Sequence, residues 1–352
     1  MTMLRRLLAL LLGLTVALLA TGCTPDTAAT TDLAPPSSVT VALLNGGAAH
    51  PPGTKSLAEA LTQAIDHQIT IEQASTHQQQ LDQLKALDGQ QVGILLVQPV
   101  DASRVGEALK PAAKAGWRVI IVGEAPADLG SVSLVITWDE FSIGEQEVAA
   151  VAATLDTSST KHVEVFGGDP DLRSATARFN GAILALKGLG EEGRMTVKSG
   201  RTSIQSSGVR AGDQDSLINR LRTTYRVTYP RHELSAVIIP EDSMAPAVRQ
   251  LATSLRATQP KLLSSGATEA GVREVMAGTM FSTQYRDPMV LAELVAKTLP
   301  KLSDLGYNPL ASKRNRLRST PGVFVSPALV TQKNAAEVLK DNPVLAPLAK
   351  KA

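Results

Sequence analysis

Cysteine, aromatic side chains and runs of a single charge are scarce in this chain, and each scarcity removes a class of function. Cys23 is the sole cysteine, so no intrachain disulfide can form. Lys and Arg number 35 against 33 Asp and Glu, a formal net charge of +2, and no long basic run occurs, which argues against a nucleic-acid partner. The five histidines, His50, His67, His77, His162 and His232, are scattered without ligand spacing and read as surface or loop residues. There is no G-x-S-x-G elbow and no H-E-x-x-H, so hydrolase and zinc signatures are missing, and neither a cofactor nor a metal is expected. Aromatics make up 3% of the chain, and none precedes Trp117. A receptor that stacks rings on flat ligands would have few platforms to offer.

What is present begins with "MTMLRRLLALLLGLTVALLATGC". Arg5 and Arg6 precede an apolar run from Leu7 to Ala20, followed by small residues. The run is roughly 14 residues, short of the ~20 that span a bilayer, so residues 1–22 read as a cleaved export signal. "Leu19-Ala20-Thr21-Gly22-Cys23" resembles a bacterial lipobox, which implies lipidation of Cys23 and an envelope location. An ordinary signal peptide with an incidental cysteine is the plainer alternative. With Cys23 assigned to an anchor, no cysteine nucleophile remains. Residues 23–38, "CTPDTAATTDLAPPSS", are polar and aperiodic and read as a flexible tether.

From Val39 the chain alternates short β-rich apolar runs with longer amphipathic stretches. Strands are expected at "VTVALLN", "QITIEQA", "VGILLVQ", "RVIIVG" and "SLVITW", with helices between them and one through "EQEVAAVAATL" closing a first unit. A second unit repeats the rhythm from "KHVEVFGG" through "LSAVIIP" to "KLLSSG". Continuous apolar strands separated by helices predict α/β lobes, each a doubly wound parallel sheet. Roughly 310 residues exceed one compact core, hence two such lobes. Doubly wound sheets bind ligands beyond the carboxyl ends of their strands, so Glu124, in the turn after "RVIIVG", is expected to face a cleft.

Two nucleotide-like motifs fail on context. Gly188-Leu189-Gly190-Glu191-Glu192-Gly193 fits G-x-G-x-x-G but follows a helix and precedes a strand, which reverses the geometry that pyrophosphate binding needs. The stretch from Gly47 to Ser56 has the wrong spacing for a phosphate loop, and Pro51 and Pro52 lack the required N–H groups.

Several segments, in order, carry a more specific likeness. "GILLVQPVDASRVGEALKPAAKAGWRVIIVGEAP", "ITWDEFSIGEQEVAAVAATL", "VEVFGGDPDLRSATARFNGAI", "LSAVIIPEDSMAPAVRQL", "GATEAGVREVMAGTMFSTQYRDPMVLAELVAKTL" and "GVFVSPALVTQKNAAEVL" resemble consecutive parts of the type I periplasmic sugar-binding proteins of the ribose and xylose type. The resemblance implies two doubly wound parallel-sheet lobes joined by a three-crossover hinge, the first spanning 39–156 and 285–321, the second 157–284 and 322–352. It also implies a lipid-anchored, extracytoplasmic receptor that captures a small solute by hinge closure, without covalent chemistry, and passes it to an ABC permease.

The sequence departs from the family where sugars are held. An Asp-Arg pair becomes Gly123-Glu124, an Asn-Asp pair Glu241-Asp242, an Asp-Asn pair Asp139-Glu140, and a Gly-x-Asp turn Gly266-Ala267-Thr268. Asn45, Glu124, Trp138, Asp139, Arg173, Arg178, Glu241, Asp242, Thr268, Gln284 and Tyr285 are the expected ligand-contact residues. Trp138 is the candidate stacking platform, with Phe166, Phe281 and Tyr285 behind it; Trp117 reads as structural, and Phe166 fits core and cleft equally. The carboxylates at Glu124, Asp139, Glu140, Glu241 and Asp242 would suit a cationic solute if several pointed inward. Helix capping explains Glu140 and Asp242 better and Glu124 less well. A sugar receptor is therefore the expected function. A same-fold receptor for a non-sugar solute and a degenerate envelope lipoprotein remain open. The basic cluster Lys313–Arg318 reads as a solvated loop.

Overall fold

A computed structural model describes residues 41–302 and 320–350, apart from 48, 66–68, 91–92, 157 and 231–232. The export signal, Cys23, the tether, His67, His232 and the cluster Lys313–Arg318 lie outside the described residues.

The first lobe contains β1 (Val41–Asn45), α1 (Leu57–Ala64), β2 (Ile69–Gln73), α2 (His77–Ala86), β3 (Ile94–Gln98), α3 (Val105–Ala108), α4 (Lys110–Lys114), β4 (Arg118–Val122) and β5 (Leu134–Trp138). The chain then enters the second lobe as α5 (Glu140–Ala152), β6 (Lys161–Val165), α6 (Arg173–Glu191), β7 (Met195–Thr196), α7 (Ile204–Ser207), α8 (Gln214–Val227) and β8 (Ala236–Ile238). A 3₁₀ turn over Asp242–Met244 leads into α9 (Ala245–Ser254), then β9 (Lys261–Leu263), α10 (Glu269–Met276) and β10 (Ser282–Tyr285). It returns to the first lobe for α11 (Pro288–Leu302) and β11 (Gly322–Val325), and ends in the second with β12 (Ala328–Thr331), α12 (Ala335–Val338) and α13 (Ala346–Ala349).

Each lobe holds a six-stranded sheet, ordered β2-β1-β3-β4-β5-β11 and β7-β6-β8-β9-β10-β12. All pairs are parallel except β12, which runs antiparallel to β10. Strand alternation sorts the first core into two layers. Leu43, Leu96, Ile120 and Ile136 face α1 and α11, while Leu44, Leu95, Val97 and Ile121 face the α2–α4 side with Trp117, whose predicted structural role the burial bears out. The helices start where side chains satisfy their first N–H groups. Ser56 with Glu59 and Thr76 with Gln79 form capping boxes, and Asp139, Asp213 and Thr268 cap α5, α8 and α10. The G-x-G-x-x-G segment is the end of α6, with Gly193 in a left-handed turn.

The lobe boundaries expected from sequence need two corrections. Helix α5 does not close the first lobe: Val148, Val151 and Ala152 are buried with Val163, Val165, Phe179 and Ala182 of the second. Full burial of each valine stabilises by about 1.5–3 kcal/mol, which fixes the helix there. The close approach to α6 depends on two glycines. A Cβ at Gly144 would lie 2.1 Å from the Arg178 carbonyl oxygen, and one at Gly181 would lie 2.0 Å from that of Phe141. Strand β11, placed in the second lobe by a division after residue 321, instead extends the first sheet beside β5. The crossovers therefore run through Asp139, through Arg286-Asp287 and through Ser326-Pro327.

Candidate functional site

Carboxyl ends of strands from both lobes converge on a cavity of about 370 Å³. The first lobe contributes Gln98 at the end of β3 with Pro99 after it, Gly123 and Glu124 after β4, and Thr137 and Trp138 of β5. The second contributes Phe166 to Asp169 after β6, Arg178 and Phe179 of α6, Pro240 and Glu241 after β8, and Ser265 after β9. Arg286, on a crossover, lies between the two walls. A second hollow of about 390 Å³ shares Glu124, Trp138 and Ser174 with the first and is lined further by Asp139, Phe141, Arg173 and Phe324.

The charges here are bound to protein partners. Arg178 is buried and bidentate to Glu147, with Nε 2.9 Å from Oε2 and Nη2 2.7 Å from Oε1. Gln284 donates to the same Glu147 carboxylate at 2.7 Å and accepts from Arg286. Arg286 donates to both Glu140 oxygens at 2.9 and 2.7 Å and to the Ser265 hydroxyl at 2.7 Å. Because the backbone N–H of Asp139 also reaches the Val325 carbonyl at 2.7 Å, this network ties all three crossovers to the cavity floor. Asp242 accepts from Thr283 at 2.7 Å, from the Thr268 amide and hydroxyl at 2.9 and 3.0 Å, and from Ser264. Among the described residues no cluster of three His, Cys, Asp or Glu could hold a metal ion.

Glu124 is half-buried at the cavity wall and has no cation partner. Gly123, at φ 95°, turns the chain out of β4, and the Glu124 Oε1 accepts the backbone N–H of Ser174 at 3.1 Å, in the first turn of α6. Desolvation raises its carboxyl above the ordinary 4.5, against the lowering effect of the Ser174 hydrogen bonds. Next to it, Arg173 donates from Nε to the Pro126 carbonyl at 2.8 Å and from Nη2 to that of Ala127 at 2.7 Å.

Of the eleven contact residues expected from sequence, Glu124, Trp138, Arg178 and Glu241 line the main cavity, and Asp139 and Arg173 line the second hollow. The other five stand behind the walls. Asn45 is buried and accepts from the Gly47 amide at 3.3 Å; Asp242 and Thr268 bond each other; Gln284 supports Glu147; the Tyr285 hydroxyl meets Asp287 at 3.3 Å and Asn342 at 3.2 Å. Phe281, a lesser candidate platform, does not line the main cavity; its ring sits 5.3 Å from the Lys261 ammonium at the opposite end of β10. Phe166 serves as both core and cavity wall. Sequence reasoning missed Gln98, Arg286, Glu147 and the cavity position of His50. Gln98 follows the same strand-end rule that singled out Glu124, and its carboxamide oxygen is buried with no hydrogen-bond partner.

Against known proteins, the profile of the periplasmic binding protein domain matches residues 52–306. The multiple sugar-binding periplasmic receptor ChvE of Rhizobium radiobacter is 23% identical over 275 residues, 74% of this chain and 77% of the receptor. The D-xylose-binding periplasmic protein of Escherichia coli K12 is 23% identical over 79% of this chain and 82% of that protein. An ABC transporter solute binding protein from Clostridium phytofermentans, solved with bound β-D-glucose, superposes with a TM-score of 0.68 at 21% identity, covering 87% of this chain and 98% of its own.

Proposed function

The chain belongs to the periplasmic binding protein family, and on that premise we propose that it is the solute-binding component of an ABC importer, with a sugar as its solute. The observation that carries this reading is the cavity between opposed strand ends, which combines aromatic rings on both walls, Trp138 and Phe166, with fixed polar groups. Trp138 offers its ring to a sugar face. Gln98 from the first lobe and Glu241 from the second offer hydrogen bonds to hydroxyls, and the Arg178–Glu147 and Arg286–Glu140 pairs hold the floor rigid. The relatives named above are receptors, and binding with release requires no bond to be made or broken. Export and lipid anchoring through Cys23 complete the proposal, with an ABC permease as the membrane partner.

A cationic solute has little basis once the acids are placed, since only Glu124 and Glu241 of the five line the main cavity without a cation partner. Glu140 is paired with Arg286, Asp139 caps α5, Asp242 is enclosed by hydroxyls and an amide, and Glu124 faces a helix terminus. The test is a thermal-shift and calorimetric panel of pentoses, hexoses, inositols, nucleosides and polyamines. A solute at 100 times its dissociation constant stabilises by about 2.7 kcal/mol, which such melts resolve. A shift with one sugar class supports the importer; a shift with polyamines alone, or with nothing, defeats the sugar reading.

A further inference from the structure

Helix α6 begins without a cap of its own. Its N-cap residue is Leu172, whose side chain accepts nothing, so the N–H groups of the first turn must find acceptors elsewhere. One acceptor comes from the other lobe. Glu124, fifty positions earlier, places Oε1 3.1 Å from the Ser174 amide. Arg173, in the same turn of α6, reaches back to the Pro126 and Ala127 carbonyls at 2.8 and 2.7 Å. Two short segments thus exchange hydrogen bonds in both directions across the cleft, at the helix end where a carboxylate is favoured.

We propose that Glu124 and Arg173 form a clasp that closes the lobes through protein contacts alone, so that the closed arrangement is populated before solute arrives. Solute then adds to closure rather than creating it, and its apparent affinity contains the contribution of the clasp. Glu124 and Arg173 are positioning residues in this account, and the proposal does not depend on which solute the cavity takes.

The test measures lobe separation in solute-free protein. Spin labels go on cysteines introduced at Lys85 on α2 and Val227 at the end of α8, both exposed, with Cys23→Ser to leave no other thiol. Pulsed dipolar spectroscopy then gives the closed and open populations. The wild-type background is expected to be mainly closed. Glu124→Leu removes the acceptor and should move the closed-to-open ratio about tenfold toward open, the effect of losing a helix cap. Glu124→Gln keeps an acceptor oxygen and should retain closure, whereas Arg173→Met should open the lobes as Glu124→Leu does. An open wild type, identical distributions in all variants, or Glu124→Gln behaving like Glu124→Leu would each overturn the clasp. Circular dichroism melts check folding, and if Glu124→Leu does not fold, Arg173→Met decides alone. Because no solute is added, these outcomes are separate from those of the sugar panel.

Discussion

The crossover side and the clasp side of the cleft are both held by hydrogen bonds, but the groups they use differ in kind. At the hinge, the charged side chains Glu140, Arg286, Glu147 and Arg178 form a chain linked through the neutral Gln284, and Glu147 is entirely buried. At the clasp, Glu124 and Arg173 bond to backbone amide and carbonyl groups at the ends of a helix and a turn. Buried ion pairs cannot be separated without leaving a charge uncompensated. Groups such as those of the clasp can exchange their partners for water at modest net change. The crossovers hold permanent bonds, and the moving edge holds exchangeable ones.

Removing Glu147 should give the largest effect. Glu147→Ala leaves Arg178 buried without its carboxylate, and urea unfolding should show a loss of about 3–5 kcal/mol. A loss comparable to that of Arg173→Met would erase the distinction between the two sides. Next comes the helix contact that carries the hinge. Gly181→Ala brings a Cβ against the Phe141 carbonyl, and its expected cost is about 1–3 kcal/mol by thermal or urea unfolding. Tolerance of that change without loss would mean that α5 and α6 are free to separate.

Trp138→Ala should weaken the solute found by the panel about tenfold, read by calorimetry, alongside a separate loss of stability, because Trp138 also packs against the first core. Unchanged affinity would move recognition away from the first-lobe wall. The smallest effect concerns pH. The Glu124 carboxyl is raised above its unfolded value of 4.5, chiefly by burial, so it binds protons more readily in the folded protein. Its contribution to stability is therefore fully present below pH 4.5 and is lost as pH rises through the folded value. Glu164, hydrogen-bonded by Tyr229 and Ser199, is raised by burial too and adds a slope of the same sign. Stability measured against pH should flatten in Glu124→Gln relative to wild type; a steeper slope would place the sign wrongly.

The two-lobe α/β fold was legible because its strands are continuous apolar runs, each ending in a turn. Lobe membership was less so. Helix α5 has the same periodicity whichever core it joins, and its packing against α6, through Val148, Val151 and the close approach at Gly144 and Gly181, decides the matter. The strand-end rule brought Glu124 to the cleft but could not supply its partner, which is a backbone amide rather than a residue type. A signal did exist at Leu172, a poor capping residue before a long helix. Asp242 kept its expected acidic identity but is turned into a nest of hydroxyls, a direction that depends on Thr268 and Thr283 from two other elements. Arg286 escaped notice because β10, whose end it follows, reads Ser-Thr-Gln-Tyr and lacks the apolar run by which strands were recognised.

The return of the chain to complete the first sheet has a consequence for the order in which the protein can form. Strand β5 acquires its outer neighbour only from residues 322–325, after five of the six strands and most helices of the second lobe have been made. During synthesis or passage through a membrane, an emerging first lobe carries an open sheet edge along Leu134–Trp138, the kind of edge that recruits foreign strands. A chain stopped before Gly322 would keep that edge for its lifetime, so aggregation of truncated products is built into the threading of the fold.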